Sequence, residues 1–398
     1  MTALVIGAGP AGLMAAEQIA RAGHAVTLAD AMPTPARKFL MAGKSGLNLT
    51  KAEPPEALAA HYPEAWIRPY VTSFGAAQMQ AFARDLGIDI FTGSSGRVFP
   101  TGMKASPFLR AWLARLDSLG VTRHQRWHWT GWDGTAVLFN TPDGPQRLTP
   151  KVCVLALGGA SWPKLGSTGG WTDALKAKGV LLTPFQPANM GFHIDWSPHM
   201  QPHFGNPLKS IALITPTRSL KAECVLSARG LEGGGIYELS AELRNGAPLA
   251  LDLLPDTPLD ALAQKLAKPR GKASLSNHLR KVTRLDPTKL ALLNEWARPL
   301  PQDPFQLAQR LKHLPVPLGA PFPITEAIST AGGIAATALT DGLELTAIPN
   351  TFAAGEMLDW EAPTGGYLLT ACFATGYAAG RAAAQRLSNL PAAGNIPG

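Results

Sequence analysis

The sequence predicts an α/β fold in which one sheet-containing domain is built from two separate segments of the chain and a second domain is inserted between them. Three observations predict it. The apolar run Ala3–Ile6 precedes a glycine-rich turn at residues 7–12, a helical segment and a second apolar run at residues 25–29. The apolar, β-branched run at residues 152–157 has the composition of a buried parallel strand. After Pro323 the chain is again rich in glycine, as in its first residues.

The elements of the first segment follow from the spacing of apolar residues. Residues 13–22 are predicted to form a helix that Gly23 ends, and the strand at residues 25–29 completes a β-α-β unit. Residues 107–120 have helical spacing. Over residues 121–148 the pattern changes to short alternating runs separated by Asp-Gly pairs, which predicts a meander of hairpins.

The predicted domain boundaries follow shifts in composition. The two segments of the sheet domain and the insert between them are assigned to residues 1–188, 322–398 and 189–321, respectively. The insert is predicted to be β-rich over residues 189–256 and helical over residues 257–321. The second segment is predicted to end in a helix over residues 366–387, followed by a loose tail.

Composition excludes several classes of protein. The 398 residues are 46% hydrophobic and 16% charged, which is typical of globular rather than disordered chains. The three cysteines are far apart, which argues against a disulfide scaffold or zinc ribbon and favours a reducing, cytoplasmic location. No metal site is predicted, and no run is long enough to span a membrane. The net charge of +8 permits a polyanionic partner.

The turn at residues 7–12 has the spacing G-x-G-x-x-G between a strand and a helix, with an acid eighteen residues after the last glycine. Gly7 allows the tight turn, Gly9 lets the backbone approach a pyrophosphate, and Gly12 lets the helix pack on the strand. The helix N-terminus attracts phosphate, and Asp30 is placed to bind ribose hydroxyls. This pattern predicts Rossmann-type dinucleotide binding. The predicted contacts are Gly7, Gly9, Pro10, Ala11, Gly12 and Asp30.

A second cluster of glycine and acid favours FAD over NAD as the bound cofactor. Residues 355–359 read Gly-Glu-Met-Leu-Asp, and the run at residues 363–368 leads into the last predicted helix. An acid such as Glu356 can hold ribityl hydroxyls, while a helix N-terminus can stabilise the anionic reduced flavin. FAD is therefore the predicted cofactor. Because the chain has no separate nicotinamide domain, NAD(P)H is expected to act only as a transient reductant.

Four segments resemble a divergent branch of the BaiN/RdsA (YhiN-like) family of NAD(P)/FAD-dependent oxidoreductases. They are residues 5–30, 38–50, 155–169 and 331–367. The resemblance covers roughly residues 1–185 and 322–386 and is weaker in the insert. It implies a two-segment FAD domain and reduction of a carbon–carbon double bond, with members that act on uridine in ribosomal RNA or on steroid-like enones.

The resemblance also implies site residues. The loop at residues 43–48 would lie near the flavin, and Glu356 with residues 365–368 would hold the ribityl chain and isoalloxazine ring. The cofactor contacts implied in this way are Lys38, Gly43, Gly46, Asn48, Gly158, Gly159, Gly355, Glu356, Gly365, Gly366, Tyr367 and Leu368. The chain departs from the family at residues 46–48, where Gly-Leu-Asn replaces the usual Arg-Cys-Asn, so a proton-donating cysteine is absent at this position.

An ene reduction also needs an acid that protonates the substrate on the face opposite the hydride. Lys44, Ser45 and Tyr367 are the candidates by position. Lys44 is explained equally well as a phosphate or structural contact, and Tyr367 as an aromatic side chain that packs on the flavin. The sequence therefore leaves the acid open among these three residues.

The insert carries a basic run. Between residues 261 and 285 there are seven basic residues and no acid, and Lys268, Arg270 and Lys272 lie in or beside a predicted loop. This run predicts a surface for an RNA backbone, although a solvated helical face explains the charge as well. His193, where the insert begins, is the predicted substrate contact.

Two functions follow from these observations. The first is an FAD-dependent reductase of uridine in ribosomal RNA, a dihydrouridine synthase-like enzyme. The alternative is a small-molecule ene-reductase that acts on a steroid-like or other enone. A third reading is a flavoprotein without turnover. A basic insert surface that lines the flavin entrance would favour the first function, and a closed apolar pocket there the second.

Overall fold

The computed structural model describes residues 3–44 and 46–390; the candidate Ser45 and the predicted tail lie outside the described residues. The strands are Ala3–Ile6 (β1), Val26–Asp30 (β2), Thr50–Lys51 (β3), Ile90–Thr92 (β4), Arg97–Pro100 (β5), Thr122–Gln125 (β6), His128–Asp133 (β7), Ala136–Thr141 (β8), Gly144–Leu148 (β9), Val152–Leu155 (β10), Leu182–Ala188 (β11), Phe192–His193 (β12), Pro207–Ile214 (β13), Ser219–Ser227 (β14), Gly230–Glu232 (β15), Leu249–Asp252 (β16), Leu314–Val316 (β17), Ser329–Ile334 (β18) and Thr351–Ala353 (β19).

Short and long helices alternate with these strands. They are Pro10–Arg21 (α1), Arg37–Ala42 (α2), Pro55–Ala59 (α3), Arg68–Ser73 (α4), Ala76–Asp85 (α5), Ala105–Ser118 (α6), Thr172–Lys176 (α7), Gly234–Glu238 (α8), Ser240–Arg244 (α9), Leu259–Leu266 (α10), Leu275–Thr283 (α11), Pro287–Ala297 (α12), Pro304–Lys312 (α13) and Tyr367–Asn389 (α14). Across residues 3–44 and 46–390, no helix has both the length and the apolar character needed to cross a membrane.

The chain divides into two compact units. The first unit comprises residues 1–186 and 328–398, and the second comprises residues 187–327. The predicted insert, residues 189–321, is thus shorter than the second unit. The difference is largest at the C-terminal boundary, because Phe322 and Ala327 are buried in the apolar core of the second unit. Each unit has its own cluster of buried apolar side chains.

The first unit is built on a five-stranded parallel sheet with the strand order β19-β10-β1-β2-β6. β1 is buried along its whole length and pairs in register with β10 on one side and β2 on the other, from Ala3 opposite Val152 and Val26. Strands buried on both faces are expected to be continuous apolar runs. The predictions of β1, β2 and β10 as parallel strands are therefore confirmed.

Two boundaries in the first segment differ from the prediction. Helix α1 begins at Pro10 rather than residue 13, because Gly9 serves as its N-cap and proline is well suited to the first helical position. The predicted meander begins at β7 rather than residue 121, because β6 joins the edge of the parallel sheet beside β2. Strands β7, β8 and β9 then form the predicted antiparallel meander.

Helix α14 brings the end of the chain back to the beginning of the first unit. An ideal Cβ on Gly376 would lie 2.3 Å from the carbonyl oxygen of Ala11, and one on Gly380 would lie 2.7 Å from Cα of Ala15. Glycine therefore allows α14 to approach the backbone of α1. A small antiparallel sheet of order β3-β5-β4 lies beside the start of α14, where Thr370 Oγ1 donates a hydrogen bond to Thr50 Oγ1 over 2.9 Å.

The second unit is a six-stranded antiparallel sheet of order β12-β15-β14-β13-β16-β17, combined with helices α8 to α13. Three of these helices begin at an N-cap side chain that accepts a backbone N–H: Ser274, Asp286 and Asp303. Strands are concentrated in the first part of this unit and helices in the second.

Candidate functional site

The glycine turn after β1 has the close backbone contacts that a side chain would prevent. Gly7 has φ +101°, and an ideal Cβ there would lie 2.2 Å from the carbonyl oxygen of Ala156. A Cβ on Gly12 would lie 1.8 Å from the carbonyl oxygen of Gly7. Gly9 differs, because a Cβ there would meet nothing within 4 Å. Gly7 and Gly12 are thus required by the fold, whereas the space at Gly9 is open.

Asp30, at the end of β2, closes this turn. Its Oδ2 accepts a hydrogen bond from the backbone N–H of Ala8 over 2.6 Å, and its Oδ1 accepts one from Met32 over 2.7 Å. Burial raises the pKa of Asp30, and these two hydrogen bonds oppose the rise by stabilising the carboxylate. Asp30 also lines the cavity described next, and a carboxylate can accept more than two hydrogen bonds, so a ribose hydroxyl there could donate to it.

A cavity of about 450 Å³ opens over the turn, within the first unit. Nine of the predicted cofactor residues line it: Gly7, Gly9, Pro10, Ala11, Asp30, Lys38, Gly158, Gly355 and Glu356. They come from the N-terminal β-α-β unit, α2, the segment after β10 and the segment after β19. The carboxyl ends of the parallel strands thus converge on one cavity, as is usual for ligand sites in this class of sheet.

Lys38 and Glu356 form an ion pair on the cavity wall. Lys38 Nζ lies 2.6 Å from Glu356 Oε2 and 2.8 Å from Oε1, and it also donates to Ser161 Oγ over 2.7 Å. The backbone N–H of Thr330 donates to Glu356 Oε1 over 3.1 Å. Gly159 is needed beside this pair, because a Cβ there would lie 2.0 Å from Thr330 Oγ1. The sequence predicted Lys38 and Glu356 separately but not their pairing.

Three polar atoms on the cavity wall are buried and have no hydrogen-bond partner among the described residues. They are Arg37 Nε, Trp129 Nε1 and Ser167 Oγ. Buried polar groups are rarely left unpaired in folded proteins. Two N–H donors and a hydroxyl that converge with the helix N-terminus suit the phosphates, riboses and base of a dinucleotide. The residues present therefore fit FAD.

The sequence missed the contribution of the meander to this cavity. Trp127, just before β7, and His128, Trp129 and Thr130 of β7 all line it, whereas the sequence predicts only a meander of hairpins in this stretch. Packing does occur: the rings of His124 and Trp127 stack with their centroids 4.1 Å apart. The cavity role could not be seen in the sequence, because it depends on β7 lying over the end of the parallel sheet.

The loop at residues 43–48 is described except for Ser45. Gly43 packs tightly, since a Cβ there would lie 2.5 Å from Cβ of Ala105, and Gly46 has φ +142°. Asn48 Oδ1 is buried and has no partner among the described residues, which leaves it free for a ligand. Lys44 is exposed at the surface of the loop. None of these residues lines the 450 Å³ cavity.

The N-terminus of α14 is shaped by Gly365 and Gly366, which have φ of +127° and +98°. A Cβ on Gly366 would lie 2.5 Å from Cα of Thr50, so β3 packs directly against this turn. Neither glycine lines the cavity, and Leu368 packs against the apolar core instead. The described cavity accordingly includes the predicted pyrophosphate side of the site but not the predicted isoalloxazine residues.

Tyr367 is held away from the cavity. Its hydroxyl donates to Glu53 Oε2 over 3.0 Å, and its ring lies against that of His61 with centroids 4.2 Å apart. Only 3% of Tyr367 is exposed. Its hydroxyl proton is therefore committed to a carboxylate, which weakens Tyr367 as a direct proton donor to a ligand in the cavity.

The predicted substrate and RNA residues lie in the second unit. His193 is half-buried in β12, and its ring lies edge-on to Phe322 with centroids 4.8 Å apart. Lys268, Arg270 and Lys272 are exposed in the segment between α10 and α11. The other basic residues of this run are also exposed: Lys265, Arg280, Lys281 and Arg284.

Comparison with solved structures supports the fold. FrdA of the Escherichia coli quinol fumarate reductase is 16% identical, with a TM-score of 0.53 over 99% of this chain and 71% of that chain. The 3-ketosteroid-Δ4-(5α)-dehydrogenase of Rhodococcus jostii RHA1 is 15% identical, with a TM-score of 0.52 over 96% of each chain. At this identity the similarity concerns the fold.

A relative of known activity matches over almost its whole length. The 3-dehydro-bile acid Δ(4,6)-reductase of Clostridium scindens is 26% identical to this chain and aligns with 96% of this chain and 98% of the relative. The sequence profile described as the HI0933-like protein Rossmann domain matches residues 1–382. That match covers both segments of the predicted FAD domain and the insert. The chain therefore belongs to the HI0933-like family, the BaiN/YhiN-like FAD-dependent oxidoreductases that its motifs resemble.

Proposed function

We propose that the protein reduces a carbon–carbon double bond conjugated to a carbonyl group in a small apolar molecule, with NAD(P)H as the electron donor and in the cytoplasm. The observation that carries the proposal is the cavity over the glycine turn, where Arg37, Trp129 and Ser167 present unpaired polar atoms that fit FAD. The bile-acid reductase that aligns along nearly the whole chain supports an enone as the substrate class.

The residues of the cavity have distinct tasks in this proposal. The start of α1 receives the pyrophosphate, Asp30 binds a ribose, and the pair of Lys38 and Glu356 lies where the ribityl chain would pass. The chemistry that FAD would supply at this site is hydride transfer from NAD(P)H to the substrate. Asn48 and the α14 N-terminus remain the proposed contacts of the isoalloxazine ring.

The test is a half-reaction experiment with the purified protein. The visible absorbance of bound flavin is recorded anaerobically during addition of NADH or NADPH, and a panel of steroid-like enones is then added. We expect bleaching by one nicotinamide and recovery of the absorbance with an enone, together with loss of the enone's ultraviolet band. Protein that binds no FAD, or reduced protein that no enone reoxidises, would refute the proposal.

Uridine in ribosomal RNA is the second candidate substrate, because the run at residues 261–285 presents seven exposed basic side chains and no acid. The bile-acid relative favours the small-molecule reading over this one. The two are separated by adding unmodified ribosomal RNA to the reduced protein. Reoxidation by RNA with loss of uridine absorbance would favour the RNA reading.

Salt dependence tests the basic surface itself. Changing Lys268, Arg270 and Lys272 to alanine should weaken RNA binding and lower the slope of log affinity against log salt by about 2 to 3 if these side chains contact phosphates. A control variant changes Lys151, Lys176 and Lys178 to alanine, which are exposed lysines of the first unit. Equal effects of the two triple variants would mean that only net charge matters.

A further inference from the structure

Arg97, at the edge of the small sheet, is an exposed cation that has no partner within residues 3–44 and 46–390. It is the first residue of β5, opposite Lys51 of β3. No hydrogen bond or ion pair involves its guanidinium among the described residues. An ideal Cβ on Gly365 would lie 4.0 Å from Arg97 Nε. The guanidinium thus lies beside the glycine turn that begins α14, without an acid to neutralise it.

An apolar surface continues from Arg97 along the same face of β5. Side chains two residues apart in a strand point to the same side, so Phe99 shares the face of Arg97 while Val98 is buried on the other. Phe91 lies opposite Phe99 in the register, with their rings stacked and centroids 5.8 Å apart. Phe91 is 44% exposed, so this stacked pair presents apolar surface to which a flat ligand could bind.

Met103 connects this surface to the loop at residues 43–48. An ideal Cβ on Gly46 would lie 2.5 Å from Met103 Cε and 3.8 Å from Phe99 Cε1. Met103 has φ +59°, an uncommon backbone conformation for methionine, and its carbonyl accepts a hydrogen bond from Leu47 over 2.8 Å. We call Phe91, Arg97, Phe99 and Met103 the β5 face. It combines flat apolar side chains with one unpaired donor.

We propose that the β5 face binds the enone, with the rings of the substrate on Phe91, Phe99 and Met103 and its carbonyl oxygen hydrogen-bonded to Arg97. This inference rests on the proposed function and deepens it. The positive charge of Arg97 complements a negative charge that forms on the substrate during the reaction. When a hydride adds to the β-carbon, the π electrons of the double bond move toward the carbonyl and leave a negative charge on its oxygen. The guanidinium of Arg97 binds this negatively charged oxygen more strongly than it binds the neutral carbonyl oxygen, so it stabilises the transition state more than the bound substrate.

The bonds that form and break in the substrate can be stated. The β-carbon gains a C–H bond from the hydride, the carbon–carbon π bond is lost, and the resulting enolate takes a proton at its α-carbon to give the saturated ketone. The nicotinamide–flavin couple of the proposed function loses two electrons and one hydrogen as the hydride, and water at this exposed face supplies the proton that the enolate takes up. Arg97 stays protonated throughout because its pKa is too high for it to serve as the acid.

The experiment uses a probe that imitates the enolate without reacting. Binding of 2-naphthol to the FAD-loaded protein is followed by the fluorescence of the probe across the pH range in which its hydroxyl ionises. We expect the protein to prefer 2-naphtholate. Arg97→Ala should abolish this preference, which means that binding of 2-naphtholate weakens by about 10-fold or more. The same variant should lower kcat/KM for an enone by about 100- to 1,000-fold. Arg97→Lys should retain part of the preference and part of the activity.

Two further variants sharpen the test. Phe99→Ala should weaken the binding of 2-naphthol and of 2-naphtholate by the same factor, roughly 10-fold, because it removes apolar contact but no charge. Arg110→Ala is the control: it removes an exposed arginine of α6 that belongs neither to the β5 face nor to the cavity, and it should change neither probe binding nor kcat/KM. If Arg97→Ala keeps the naphtholate preference, or loses it only because FAD is lost, the inference is wrong.

The outcome separates this inference from the proposed function. Wild-type protein that reduces enones while Arg97→Ala keeps normal kcat/KM would overturn the β5 face alone. Reduced wild-type protein that no enone reoxidises would overturn the proposed function, whatever the probe shows. FAD content is measured for every variant by fluorescence after denaturation.

Discussion

The three glycines of the first turn look alike in the sequence but differ in what surrounds them. A side chain on Gly12 would collide with the backbone of Gly7, whereas one on Gly9 would meet no atom of the protein. Gly9 also has φ −77°, which alanine adopts without strain. The fold therefore does not require glycine at residue 9, and the proposed pyrophosphate site does.

Gly9→Ala should leave the free energy of unfolding of the FAD-free protein within ~1 kcal/mol of wild type, since only the N-cap preference for glycine over alanine is lost. The same variant should weaken FAD binding by more than about tenfold, because the methyl group occupies the space above the turn. Urea denaturation of the FAD-free protein and FAD titration measure the two quantities.

Gly12→Ala serves as the comparison, because its Cβ would lie 1.8 Å from the carbonyl oxygen of Gly7. This variant should lose several kcal/mol of stability along with FAD binding. If Gly9→Ala and Gly12→Ala destabilise the FAD-free protein equally, the distinction between a ligand glycine and a fold glycine is wrong.

The pair of Lys38 and Glu356 should matter to the protein even without a ligand. Their side chains are only 27% and 13% exposed, so replacing Lys38 by methionine leaves a carboxylate without its cation. We expect Lys38→Met to lower the free energy of unfolding by about 2 kcal/mol and to weaken FAD binding. Arg147→Met is the control, since Arg147 and Asp133 are 60% and 61% exposed and their pair should contribute under ~1 kcal/mol.

At the scale of elements, the contact between α1 and α14 closes the first unit. Replacing a glycine within a helix by alanine normally stabilises by about 1 kcal/mol. Gly376→Ala should have the opposite sign and destabilise by roughly 2 kcal/mol or more, because its Cβ would lie 2.3 Å from the carbonyl oxygen of Ala11. Thermal and urea unfolding of the variant measure this change.

Gly234→Ala is the matched control, since a Cβ at this first residue of α8 would meet nothing within 4 Å. It should leave stability unchanged or slightly raised. A Gly376→Ala variant as stable as wild type would mean that α14 can move away from α1 at no cost.

Elements with a strong local pattern were predictable, and those defined by a distant partner were not. β1, α1 and β10 are specified by apolar runs and by the glycine turn between them. β6 was assigned to the meander because its residues, Thr122–Gln125, are polar and only its pairing with β2 places it in the parallel sheet. The cavity role of Trp129 was missed for the same reason, since no local pattern shows which strand end it covers.

The site residues divide in the same way. Gly7, Gly9 and Asp30, which line the cavity, could be predicted because a dinucleotide-binding turn has a fixed spacing within a single β-α-β unit. The ion pair of Lys38 with Glu356 joins residues more than three hundred positions apart, so no local sequence pattern could predict it. Tyr367 was a reasonable candidate acid by position, but its hydrogen bond to Glu53 is a property of the folded chain.

At the scale of the whole molecule, each unit contains a buried cysteine thiol that resists ionisation. Burial raises the pKa of Cys153 in the first unit and of Cys224 in the second to about 12, from an ordinary value of 9.0. At pH 8 only about one such thiol in ten thousand is ionised at a given moment. Disulfide reagents should therefore label folded protein slowly at these two positions and unfolded protein quickly.

The sign of the stability change follows from the same values. The unfolded chain loses these protons near pH 9.0 while the folded chain keeps them to about pH 12, so the stabilising contribution is complete below pH 9 and is lost as the pH rises through 12. Each thiol should lower the free energy of unfolding by about 1.4 kcal/mol per pH unit in that interval. Cys153→Ala and Cys224→Ala should each flatten the decline measured by urea denaturation between pH 8.5 and 10.5; an unchanged slope would contradict the assignment.

The division of the first unit also bears on how the protein is made. The second unit is one continuous stretch, residues 187–327, whereas the parallel sheet needs β19 and its cover needs α14 from beyond that stretch. A ribosome adds about 5–20 residues per second, so β1 and its glycine turn wait roughly twenty seconds or more after synthesis for these partners. The insert can fold during that interval. FAD can be enclosed only after it, which makes cofactor loading a late, post-translational event and leaves the half-built sheet dependent on protection until then.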